Sequence, residues 1–126
     1  MDKTFLVIAA VQGFLAVGFG AFGAHGLQSY LADAADGAQR LAWWETAAHY
    51  HLTHALALGL AAWTASRFPG AASTVAGVAL ILGMVVFSGS LYVMTLTGIR
   101  WLGAITPIGG LSLMVGWAAI AVAAWR

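Results

Sequence analysis

Apolar residues fill four long blocks of this chain, at about 4–24, 41–66, 71–96 and 104–125, with short polar interruptions between them. The interruptions are "SYLADAADGAQR" (Ser29–Arg40), "RFPG" (Arg67–Gly70) and "TGIRW" (Thr97–Trp101). Each block is near or above the roughly 20 residues a helix needs to cross a bilayer. Backbone groups in hydrocarbon must be satisfied within their own segment, so the blocks read as helices. The predicted fold is an all-α membrane protein, an up-and-down bundle of four transmembrane helices forming one domain over residues 1–126. The last block has two readings. Thr106-Pro107 fits an N-cap and first-turn pair, because proline lacks an amide hydrogen that would be unsatisfied there anyway. Alternatively, Pro107 kinks a longer helix that starts near Arg100.

Composition moves the solvent from water to lipid. Of the 126 residues, 62% are hydrophobic and 7% charged, with mean hydropathy +0.91. Soluble domains are about half apolar and a quarter charged, and so short a chain cannot hide that much apolar surface in its own core. The first block exceeds the roughly 7–15 apolar residues of a signal-peptide core, which favours a retained helix. Net charge is +1, so no basic face points to nucleic acid, and with no cysteine there is no thiolate chemistry. With four crossings, Lys3, Arg67 and Arg126 share the side of the termini and Arg40 and Arg100 the other. That three-to-two bias predicts cytoplasmic termini. Trp43, Trp44, Trp101 and Trp125 suit an interfacial belt.

Small residues recur at helical spacing: Ala9, Gly13, Ala16, Gly20, Gly23 in the first block; Gly109, Ser112, Gly116, Ala119, Ala123 in the last. The second carries Ala48, His51, Ala55, Gly59, Ala62 and Ser66. Without a hydrophobic drive between helices in lipid, such stripes let backbones approach closely.

The candidate chemistry is concentrated in "WETAAHYHLTHALAL" (Trp44–Leu58). At about 100° per residue its polar groups fall on two faces. Glu45 and His49 lie with Leu52, Leu56, Leu60 and Trp63 and read as an interfacial ion pair. His51 and His54 lie on or beside the small-residue stripe, near mid-membrane, where polar groups need partners inside the bundle. Up-and-down threading brings His25, Glu45, His49, His51, His54, Ser88, Ser90, Tyr92, Thr95, Thr97 and Thr106 into one half of the bundle. The other half is apolar except for Gln12, Thr64, Ser73 and Thr74.

Four stretches in order, "GAFGAHGL" (Gly20–Leu27), "WETAAHYHLTHALAL", "FSGSLYVMTLTG" (Phe87–Gly98) and "LGAITPIGGLSLMVGW" (Leu102–Trp117), carry a family resemblance. The chain resembles the small bacterial inner-membrane proteins grouped as domain of unknown function 423, to which eukaryotic transmembrane protein 256 is similar. The resemblance implies a four-helix inner-membrane protein with no established activity. It also implies that His25, Tyr50, His51, His54, Ser88, Ser90, Tyr92, Thr106, Pro107 and Gly109 are signature positions, and that Glu45 and His49 are variable.

The leading functional reading is a structural or accessory membrane component, in contact with lipid and in a homo-oligomer or larger complex, whose polar cluster packs its helices. No cofactor and no nucleic-acid partner are expected. The alternatives are a small transporter or channel for protons or a solute, and a metal-binding protein using His25, His51 and His54. An enzyme is not expected, because no nucleophile–base pairing is present.

Overall fold

The computed structural model describes residues 1–126 and is all-helical, with no strand. Its elements are α1 (Asp2–Ala24), α2 (Gly26–Tyr30), α3 (Gly37–Arg67), α4 (Ala71–Thr97), a 3-10 turn (Arg100–Ala104) and α5 (Thr106–Trp125).

Helix α3 begins at Gly37, inside the stretch whose charges read as aqueous loop. What lets it start there is a set of partners for Arg40. Its guanidinium faces Asp36 at 3.6 Å and its Nε donates to the Thr95 carbonyl at 2.8 Å, while the Thr95 hydroxyl donates to the Arg40 carbonyl at 3.0 Å. Gly98 ends α4 in the left-handed conformation at φ 73, a backbone geometry glycine adopts without steric cost. Helix α5 starts at Thr106 with Pro107 in its first turn, and Ile105 occupies the cap position. The Thr106 hydroxyl therefore does not cap the helix. It meets Ser90 Oγ at 2.6 Å.

Helices α3 and α4 form the central pair, α1 packs on α3, α5 packs on α4, and α1 and α5 do not pack on each other. The outer helices each bury one narrow stripe: Phe5, Ala9, Ala16 and Gly23 in α1; Gly109, Leu113, Gly116, Ala119 and Ala123 in α5. Their remaining surface is exposed and apolar, from Phe14 (79% exposed) to Met114 (67%). The main core joins Phe5, Leu58, Leu80, Met84 and Leu113 with small residues of all four long helices. One groove is lined by Met1, Asp2, Ser66 and Gly70, and another by Pro69, Ser73, Ala123 and Arg126. Both chain ends and the α3–α4 turn therefore lie at one end of the bundle. Asp36, Gln39, Arg40 and Arg100 occupy the opposite end, where Arg100 reaches Asp36 at 3.3 Å and Gln39 at 3.0 Å.

Three helical stretches, Asp2–Ala24, Ala71–Thr97 and Arg100–Trp125, are long and apolar enough to cross a membrane. At 31 residues α3 has the length but falls short in apolarity, since its histidines, Glu45 and Arg40 lower its hydropathy.

Candidate functional site

Two imidazoles sit at the centre of the polar half, and the structure separates them. His51 and His54 are 5% and 6% exposed. Three residues apart on a helix, they point about 60° from one another, which is enough to send them to opposite flanks of the central pair. His51 faces α1 and α4. Its Nε2–H donates to Gln12 Oε1 at 2.7 Å, and the Tyr92 hydroxyl donates to its Nδ1 at 2.9 Å. His54 faces α5. Its Nδ1–H donates to the Tyr50 carbonyl at 2.7 Å, one turn back, and Trp117 Nε1–H donates to its Nε2 at 3.1 Å. A carbonyl can only accept and an indole N–H can only donate, so His54 is the neutral Nδ1–H tautomer.

Aromatic rings close around each imidazole. Phe19 and Tyr92 flank His51, and Trp44 packs behind them, its centroid 4.5 Å from that of Tyr92. Trp44 is buried rather than in an interfacial belt. Its Nε1–H donates to the Phe19 carbonyl at 2.6 Å, and its ring lies 2.5 Å from where a Cβ on Gly23 would be. Around His54, Tyr50 stacks at 5.7 Å with planes 6° apart, Trp117 meets the ring edge-on, and Tyr50 also packs on Phe87.

The hydroxyls act as staples between helices. Ser88 donates to the Ala47 carbonyl at 2.8 Å, joining α4 to α3, and Ser112 donates to the Ala79 carbonyl at 2.7 Å, joining α5 to α4. Ser90 with Thr106 ties α4 to the start of α5. No buried side-chain nitrogen or oxygen lacks a partner. In a membrane setting such interhelical bonds are worth about 0.6 kcal/mol each on average, up to about 1.7.

The remaining sequence candidates lie outside this core. His25 is exposed at the break between α1 and α2. Glu45 and His49 are exposed one turn apart on α3, and the ion pairs in the structure are Met1–Asp2, Arg40–Asp36 and Arg100–Asp36, so none joins those two. No three His, Asp or Glu side chains converge as a metal site, and both ring nitrogens of His51 and of His54 are already engaged. Sequence reasoning set Gln12 and Trp117 aside. The signal for Gln12 was present: a lone amide midway along a 23-residue apolar helix requires a partner. Trp117 is indistinguishable in sequence from a lipid-facing tryptophan.

The family profile described as "Protein of unknown function (DUF423)" matches residues 19–110. The chain belongs to this family. The match runs from Phe19 through His51, His54 and Tyr92 to Thr106, so it covers the polar half but not Gln12 or Trp117. Over 123 residues the chain is 45% identical to a UPF0382 membrane protein, YwdK, of Bacillus subtilis, covering 97% of this chain and 96% of the relative. Over 126 residues it is 41% identical to the UPF0382 inner membrane protein YgdD of Escherichia coli, covering 99% and 92%. A UPF0382 membrane protein of Staphylococcus saprophyticus is 42% identical over 98% of each chain. No solved structure matches.

Proposed function

We propose that this DUF423 protein is a non-catalytic, structural or accessory component of the bacterial inner membrane, crossing it four times with both termini in the cytoplasm. One observation carries the reading: every buried side-chain nitrogen and oxygen has a hydrogen-bond partner within the chain. The two histidines hold α1 and α5 to the central pair, and the hydroxyls stitch α3, α4 and α5. Helix α3 crosses because its buried polar groups face the bundle rather than lipid, as intramembrane polar groups do. The relatives, named as a membrane protein in Bacillus subtilis and an inner membrane protein in Escherichia coli, support the location. Lys3, Arg67 and Arg126 at the end that holds the termini support the orientation.

The hydrogen-bonded row Tyr92–His51–Gln12 is the observation that favours a proton path as a second reading. Its members belong to α4, α3 and α1 in turn, so the row runs across the bundle rather than along it, and packing takes precedence. Reconstitution in liposomes separates the two. The packing reading expects no proton flux above that of empty vesicles, together with reduced thermal stability in His51→Gln. Flux that His51→Gln abolishes in a still-folded protein would replace it.

A further inference from the structure

The outward face of α3 carries polar groups that the bundle leaves unused. Glu45, Thr46, His49 and Thr53 are all exposed, and no hydrogen bond or ion pair engages their side chains. Arg40, tied to Asp36, marks the polar end of the bundle. At 1.5 Å per residue, His49 lies about 13 Å and Thr53 about 20 Å farther along α3. On the four-span reading, with Arg40 at the edge of a hydrocarbon core about 30 Å thick, both positions lie inside that core. An unpartnered hydroxyl or imidazole there carries a desolvation cost that a partner would remove.

The same side of the molecule offers a close approach. Leu6, Gly13 and Gly20 recur every seven residues along one face of α1, and Leu6 lines a groove against α3 with Gly59, Ala62 and Trp63. A Cβ at Gly13, Gly20 or Gly59 would meet no atom within 4 Å. The glycines of the internal seams, such as Gly23, Gly83 and Gly116, have side chains pressed against them.

We propose that this face is the docking surface for a second copy of the chain, α3 against α3 about a two-fold axis normal to the membrane, with Glu45 of each copy against His49 of the other. Charge selects the occupant. A two-fold contact sets a patch against itself, so a patch of one sign would repel its own copy. This patch holds a carboxylate and an imidazole one helical turn, about 6 Å, apart in depth, so in two copies inserted the same way round each Glu45 side chain reaches diagonally across the axis to His49 of the other copy. Each acceptor then meets a donor. Leu52 and Leu56, 40% and 71% exposed, fill the space near the axis.

The inference rests on the four-span reading, and the test keeps the two apart. The full chain contains no cysteine, so Leu56→Cys, Thr53→Cys and, on α5, Met114→Cys each introduce a single thiol. The variants are oxidised in native membranes, and a portion of each is washed with alkaline carbonate. The expected result is a disulfide-linked product of twice the monomer mass from Leu56→Cys or Thr53→Cys and none from Met114→Cys. In the cross-linking background, Glu45→His or His49→Glu alone lowers the product several-fold, and the two together restore it. Protein that resists the wash but yields no product at either α3 position overturns the interface alone. So does equal product from Met114→Cys, or an adduct of another mass. Protein released by the wash overturns the four-span reading and the interface with it.

Discussion

His54 donates at one ring nitrogen and accepts at the other, and both bonds stay inside the bundle. Removing the ring leaves the Trp117 N–H without an acceptor, and replacing Trp117 leaves Nε2 bare. His54→Leu and Trp117→Phe should therefore each destabilise the protein, with a coupling of about 0.5–1.5 kcal/mol between them. Reversible unfolding in mixed micelles measures this, and strictly additive effects would refute the bond. Tyr92→Phe takes the donor from His51 Nδ1 and should cost about 1–2 kcal/mol. The burial of both histidines was legible in the sequence, because an imidazole deep in an apolar block must find company. The identity of that company was not. A 60° separation on one helix says that the rings diverge, but the choice of α1 for one and α5 for the other depends on which helix sits on which flank.

Helix seams depend on glycines whose missing side chains are occupied by a neighbour. A Cβ on Gly109 would meet backbone atoms of Phe87, which cannot rotate aside. On Gly83 it would meet the end of Leu113 at 2.5 Å and the Leu113 backbone nitrogen less closely, at 2.9 Å, and on Gly23 the Trp44 ring at 2.5 Å. Gly109→Ala should be the most harmful of the three, and each should cost about 1–3 kcal/mol by overpacking. Gly18→Ala, where nothing lies within 4 Å, should be neutral or stabilising by up to about 1 kcal/mol from helix propensity. Thermal denaturation in detergent ranks all four, and harm at Gly18 equal to that at Gly109 would void the seam argument. Sequence spacing found the α5 stripe well, since Gly109, Gly116, Ala119 and Ala123 are buried. It overstated α1, where Ala9, Ala16 and Gly23 are buried but Gly13 and Gly20 face open space. Glycine and alanine are so frequent here that period alone cannot tell a used stripe from an unused one. The start of α3 was hidden for a different reason: Arg40 looks like a loop residue until Thr95, 55 positions away, is seen beside it.

At the level of the whole molecule, the helical class was plain from block length and hydropathy. The number of crossings was harder, because α3 mixes spanning length with polar content. The arrangement puts residues 1 and 126 at the same end as the α3–α4 turn. With the cytoplasmic termini proposed above, a reporter active only in the cytoplasm should be active when fused to either terminus and inactive when inserted between Ala32 and Gly37. Opposite behaviour at the two termini would contradict an even number of crossings.

That α1 packs on α3 and α5 on α4 bears on the order of manufacture. Gln12 and Tyr92 both precede Gly98, so a growing chain that has emerged only that far already owns every group that engages His51. His54 must wait for Trp117. Until the last helix arrives, its outward nitrogen has no donor from the bundle, and the half-made protein keeps an adhesive spot on the flank where its final piece belongs.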